Sequence, residues 1–370
     1  MRERAADGQG VDVDIIALAS LSESERSLWR SWCASGALSP FHRLEFAEIA
    51  AQIAPDAALA VLHRKGAPCG FFPFQRRGGA AYPLGAPLND YHSVVAPPDE
   101  TWDPAALSHS LGVARVGVTG WVGPASARQG ARRAALVADL TDGWEAYALG
   151  RRARFGKFFR DKERGRRALV RDAGPVEFEG DCDDEASLDA LIALKRAQYG
   201  RTGKHDVFAC GWTEDLLKSL WRARGPHFGA RLAVLHAGGR TWAMELSLHA
   251  DAHYHFWIPA YDRVGARYAP GLLLCIDTLQ AASAEGFRTF DFGFEGQAYK
   301  KYFADPAAEV SHGLVFARGR PRWRDALSSA LGPDLVAKVE HRWLAIEACE
   351  TTRLRRWRTL AAAVARAPFN

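Results

Sequence analysis

Residues 253–303 read HYHFWIPAYDRVGARYAPGLLLCIDTLQAASAEGFRTFDFGFEGQAYKKYF, and their pattern decides the fold. His253 to Pro259 is crowded with rings and apolar side chains, as a largely buried strand is. The loop Tyr261–Gly271 carries Gly265, Pro270 and Gly271 with two arginines, Arg263 and Arg267. Pro270 stands where a first-turn proline belongs, so a helix starts there. That helix buries Leu272, Leu273, Ile276, Leu279 and Ala282 and ends at Gly286. A second strand, Thr289–Gly293, follows at once, and a short helix after it. A helix N-terminus has unpaired N–H groups and partial positive charge, so with two arginines beside it this start is suited to a phosphate or pyrophosphate.

Composition bounds the rest. The chain has 370 residues, which predicts two domains or one large one, and a net charge of +5 that comes from Arg/Lys clusters. Its six cysteines are scattered without metal-like spacing, so free thiols in a reducing cytosol and no metal are expected. MRERAADGQG has no apolar core of a signal peptide, and no run of about eighteen uncharged apolar residues predicts a membrane span. A cytoplasmic protein, at most peripheral at a membrane, is expected.

Residues 1–10 read as a disordered lead, Val11–Leu18 as a strand, and Ser22 with Glu25 as a capping box opening a helix to about Ser35. The next helix spans about His42–Ile53. Residues 59–75 form a hairpin in which Ala60-Val61-Leu62-His63 precedes a glycine turn. Ala233-Val234-Leu235-His236 precedes Gly238-Gly239 and the strand Thr241–His249 in the same way. The repeated strand–turn–strand context indicates an internal duplication of one αβ unit.

Between the copies lies a basic segment, 143–171, with ten Arg/Lys side chains from Arg151 to Arg171 and with Phe155, Phe158 and Phe159 interleaved. A solvated linker helix is the first reading, and contact with an anion the second. Nucleic acid is the least favoured anion, since no nucleic-acid-binding motif is present. Residues 318–370 form an Arg-rich helical tail with Val339, Trp343, Leu344, Ile346, Leu354 and Trp357 among the charges. It is suited to docking on its own domain, on a partner or on anionic lipid.

Four groups of residues, Tyr261-Asp262, Tyr268–Leu274, Gly286–Gly293 and Tyr299-Lys300, resemble the core of the GNAT acyltransferases, and more closely the FemAB-like, CelD (BcsL)-type enzymes of bacterial exopolysaccharide and cellulose loci. The resemblance implies an α/β (α+β) fold of tandem GNAT-like domains, each a mixed, mostly antiparallel sheet flanked by helices. The expected boundaries are 11–142 and 172–317, with a linker at 143–171 and a tail at 318–370. It implies an acyl-CoA-dependent N-acetyltransferase acting on a sugar or polysaccharide precursor, with acetyl-CoA or another acyl-CoA as co-substrate.

Donor binding then falls to Arg263, Gly265, Arg267, Tyr268, Gly271 and Lys300, in the second copy alone. The thioester carbonyl would lie on a free N–H near the end of strand 253–260. Base candidates are Asp291, Glu295, His255 and Glu245. A lone histidine on the strand also reads as packed core, Asp291 as the cap of the next turn, and Glu245 as a side chain pointing to solvent. Tyr299, or alternatively Tyr302, would protonate the leaving thiolate. By resemblance the loop 82–98, with Asn89, Asp90, Tyr91 and His92, faces the acceptor, as do Lys195 and Tyr199. An Asx-type turn at Asp90 is the alternative.

Two other functions are compatible with the sequence. One is a Fem-type aminoacyl transfer to a cell-wall precursor, although the helical-hairpin insertion that would favour it is missing. The other is a non-catalytic regulator whose Arg-rich tail binds a cyclic dinucleotide at the membrane.

Overall fold

The structure, a computed structural model, describes residues 3–6, 10–35, 39–123, 131–294, 297–318, 326, 328–330 and 332–366. Local chemistry sets the first helix, α1 (Glu23–Ser35). The Ser22 N–H donates to Glu25 Oε2 at 2.8 Å and the Glu25 N–H to Ser22 Oγ at 3.3 Å, so the capping box is formed.

The strands in chain order are β1 (Glu3–Ala6), β2 (Val11–Ile16), β3 (Ala57–Arg64), β4 (Ala67–Arg77), β5 (Ala80–Pro83), β6 (Arg115–Val122), β7 (Ala131–Asp139), β8 (Val176–Glu179), β9 (Phe228–Ala237), β10 (Arg240–Ala250), β11 (His253–Tyr261), β12 (Thr289–Asp291) and β13 (Asp305–Phe316). The further helices are α2 (Leu44–Ile53), α3 (Pro104–Ser110), α4 (Gly143–Ala173), α5 (Glu185–Thr202), α6 (Trp212–Arg222), α7 (Pro270–Ala284), α8 (Pro333–Cys349) and α9 (Arg353–Arg366).

The chain divides into two units: residues 1–133, 199–217 and 309–370 in the first, and 134–198 and 218–308 in the second. The first unit has the strand order β1-β2-β3-β4-β5-β6-β13, and among the described strands only β5 and β6 run parallel. The second has β8-β9-β10-β11-β12-β7, and among the described strands only β11 and β12 run parallel. From β2 and from β8 onward the two orders correspond strand for strand.

The hairpins agree in detail. β3 and β4 turn through Lys65 and Gly66, both at positive φ, and β9 and β10 through Gly238 and Gly239, also positive, as tight antiparallel hairpins require. Gly238 is needed for a second reason: a Cβ there would stand 1.9 Å from the Ala173 carbonyl oxygen.

The last strand of each unit is exchanged. β7 follows β6 in sequence yet pairs with β12, while β13 follows β12 and pairs with β6.

The first unit's core gathers Leu62, Phe72, Phe74, Val118 and Trp121. Its C-terminal helices pack inward through Glu347, which accepts from Tyr82 Oη at 2.5 Å and Arg115 at 2.5 Å, with buried Arg356 at 3.4 Å.

The second unit's core gathers Phe159, Tyr254, Phe256, Leu279, Phe290, Phe292 and Phe303. The basic segment expected as a solvated linker is part of that core's cover. α4 kinks at Phe155, stacks Phe158 on Tyr302 at 4.0 Å, and pairs Arg166 with Asp277 at 2.5 Å. Apolar side chains interleaved with arginines at helical spacing give one buried and one charged face.

Candidate functional site

β11 and β12 pair over three positions only, His253↔Thr289, Tyr254↔Phe290 and His255↔Asp291, and then part. Past that point β11 stays on β10 with a change of register, since Leu248 faces His255 but Leu246 faces Ile258. The extra residue is a bulge on β11, and it re-aims the main chain. The Trp257 N–H donates to Glu245 Oε1 at 3.1 Å, and Lys195 Nζ donates to the Pro259 carbonyl at 3.2 Å.

β11 leads into a tight turn at 263–268. Asp262 caps it by accepting from the Val264 N–H at 3.0 Å, and is itself ion-paired to Arg240. Ala269 has φ 56°, and Pro270 opens α7. Two glycines are there for closeness: a Cβ on Gly265 would lie 2.4 Å from the Trp242 ring, and one on Gly271 3.3 Å from Tyr261.

The two arginines of this loop differ. Arg267 pairs with Asp172 at 3.1 Å and stacks on the Tyr268 ring at 4.6 Å, while the Tyr268 hydroxyl donates to the same carboxylate at 2.8 Å. Arg263 is exposed, beside Val264, which is 69 % exposed. Both guanidinium groups are exposed, and what sets them apart is that Arg267 is ion-paired to α4. Gly265, Tyr268 and Gly271 shape the turn, and Arg267 fastens it to α4.

The last paired position carries a polar cluster. Register and alternation put His253, His255 and Asp291 on one face. Asp291 Oδ1 accepts the Gly293 N–H at 2.6 Å; its Oδ2 lies 3.4 Å from His253 Nε2 and 3.7 Å from His255 Nδ1. Burial pushes the Asp291 carboxyl up, but the two imidazoles outweigh that and hold it well below the usual carboxylate range. His255 is thus not a lone core histidine, and Asp291 both caps the turn and meets the imidazoles.

Glu245 does not point to solvent. It is fully buried, and burial pushes its carboxyl well above the usual range against the opposing Trp257 N–H. Tyr299 packs edge-on to Phe303 at 6.4 Å, and burial, with Cys275 and Glu245 nearby, pushes its phenol up, so it keeps its proton. Lys300 is buried with Nζ on the Phe292 carbonyl, which turns it inward instead of to a phosphate. Glu295 lies outside the described residues.

The expected acceptor loop belongs to the first unit, and most of its side chains turn inward. Asn89, Tyr91 and His92 are buried; Asn89 Nδ2 donates to the Leu84 carbonyl at 2.9 Å, and His92 Nε2 accepts the Thr119 N–H at 3.3 Å. Only Asp90 is half-buried. Lys195 lies in the second unit on Pro259, whereas Tyr199 lies in the first, 6.2 Å from the Phe208 ring. Sequence reasoning missed His253, although its i, i+2 spacing with His255 on a strand was visible, and it undervalued Glu245.

Residues 156–301 match an acetyltransferase (GNAT) domain. The match contains the parted strands, the capped turn and α7. No curated protein matches the chain.

Among solved structures, the chain is similar to the C-terminal domain (DUF2156) of a putative lysylphosphatidylglycerol synthetase from Agrobacterium fabrum, with 12 % identity, 85 % of this chain and 97 % of that one covered, and a TM-score of 0.49. It is similar to a tandem GNAT protein from the clavulanic acid biosynthesis pathway (12 %, 84 % and 99 %, 0.48) and to FemX (10 %, 86 % and 99 %, 0.48).

Proposed function

We propose that the second unit is an acyl-CoA-dependent acyltransferase that moves an acetyl group to an amine or hydroxyl of a sugar or polysaccharide precursor. The observation that carries the reading is the opening between β11 and β12. It begins at His255 and Asp291 and leads onto Arg263 and the start of α7, within the stretch that matches a GNAT domain. The sugar acceptor rests on the sequence resemblance to CelD-type enzymes alone.

In this reading the pyrophosphate lies at Arg263 and the α7 N-terminus, which offer a cation and helix N–H groups. The pantetheine arm lies along β11 past its pairing with β12, and the thioester reaches the apex. The acceptor's lone pair attacks the thioester carbonyl carbon, and the C–S bond breaks. Asp291 orients His255 through Nδ1, and the opposite nitrogen, Nε2, takes the acceptor's proton. The Tyr299 phenol donates a hydrogen bond to the departing thiolate, which leaves without being protonated in the step because a thiol is more acidic than a phenol.

The test is calorimetric titration of acetyl-CoA into the full chain, followed by a free-thiol release assay with amino sugars. Saturable binding with thiol release supports the reading. Absence of binding by folded protein at millimolar ligand overturns it and directs attention to aminoacyl donors.

A further inference from the structure

The same three polar side chains have a geometry that proton transfer does not require. We infer that His253, His255 and Asp291 form a binding site for a first-row divalent cation of the zinc class. Two histidines at i and i+2 on a strand project from one face, and Asp291 comes from the neighbouring strand in register with His255. The candidate ligand atoms all lie within 4.8 Å of one another.

Zinc–ligand bonds of about 2.0–2.2 Å in a tetrahedron set neighbouring ligand atoms about 3.4 Å apart. Asp291 Oδ2 is 3.4 Å from His253 Nε2 and 3.7 Å from His255 Nδ1, so both contacts are near that edge length. The other carboxylate oxygen, Oδ1, is held by the Gly293 N–H at 2.6 Å, an outer hydrogen bond of the kind that fixes a metal-binding carboxylate. His255 and Asp291 are buried, and the His253 side chain is 20 % exposed.

Two imidazoles and one carboxylate favour zinc, cobalt or iron(II) over calcium or magnesium, which take oxygen ligands. A fourth position is left for water. The ion would take His255 Nδ1 and Asp291 Oδ2, the same pair that orients the imidazole in the transfer reading, so ion and general base compete for one contact and a bound ion slows transfer.

The site stands on its geometry and not on the donor reading, so acetyl-CoA calorimetry on metal-free protein separates the two. Cobalt(II) titrated into chelator-treated full chain is expected to give visible d–d bands of a tetrahedral site, saturating at one equivalent and bleached by zinc. His253→Ala and Asp291→Asn should abolish the bands, and His227→Ala, at an exposed surface histidine, should retain them. Zinc should also protect His253 of the unaltered protein from diethylpyrocarbonate, read by mass spectrometry, and this needs no variant to fold. Featureless titrations with folded protein, bands that persist in folded His253→Ala, or unprotected His253 would overturn the site. A transfer rate unchanged by bound zinc would overturn the competition.

Discussion

The two units solve one geometric problem in opposite ways. Each has, among its described strands, one parallel pair that parts after a few residues: β5 and β6 after Ala81↔Val116, β11 and β12 after His255↔Asp291. In the first unit the chain fills its own gap. The His92 N–H donates to the Gly120 carbonyl at 3.1 Å and its carbonyl accepts the Val122 N–H at 2.9 Å, while Val95 and Phe71 exchange two bonds of 2.8 Å. The buried side chains of Asn89, Tyr91 and His92 are the plug that makes this possible.

In the second unit no segment among the described residues pairs with β11 on that side past His255. A side-chain carboxyl and an amine, Glu245 and Lys195, hold the β11 groups that a neighbouring strand would otherwise satisfy. Buried main-chain polar groups need partners, and here a loop supplies them in one unit and side chains in the other. The two units share one parallel pair that parts, and the loop between β5 and β6 is what sets the first apart from the second.

The largest expected effect is at the apex of the open gap. His255→Ala should lower the rate of transfer about 10²–10⁴-fold, the range of general-base losses, with donor affinity unchanged by calorimetry. A rate within threefold of the unaltered protein would remove His255 from the reaction. Arg263→Glu comes next: an exposed side chain whose reversal should leave thermal stability alone and weaken acetyl-CoA binding about 10–100-fold. Unaltered affinity would move the pyrophosphate elsewhere.

The smallest effect separates the plug from the site. Burial holds His92 well below the usual imidazole value, and burial with His341 alongside brings His312 down to about 3. Both are neutral when folded and take protons on unfolding. Their stability contribution is therefore complete above the unfolded value of 6.5 and falls below it, by about 1.4 kcal/mol per pH unit for each group. Denaturant unfolding of His92→Gln should show a shallower loss between pH 6.5 and 5 than the unaltered chain, with the same acetyl-CoA affinity at pH 7.5. A parallel pH dependence would mean that His92 is not the buried neutral group described.

Much of this was legible in the sequence, for local reasons. Pro270, the apolar stripe of α7 and the Ser22–Glu25 box announce their elements within one turn, and the two hairpins announce the duplication. What escaped depends on distant pairing. The exchange of β7 and β13 cannot be read from strands whose partners lie far along the chain. Glu245 stands among apolar neighbours in a strand that alternation would turn to solvent, but the bulge at 256–257 brings a main-chain N–H to it. His253 and His255 gain their meaning from the register that puts Asp291 opposite, and that register is set by the parallel pairing alone. The loop 82–98 was legible as irregular, yet its glycines and prolines do not say whether it covers a ligand or replaces one.

Hydrogen–deuterium exchange with and without saturating acetyl-CoA compares the two gaps within one sample. Protection is predicted across residues 257–272, at the open edge of β11 and the start of α7, with residues 84–95 unchanged. Protection confined to 84–95, or none in 257–272 at a ligand concentration that saturates the calorimetric signal, would contradict the assignment of the donor to the second unit.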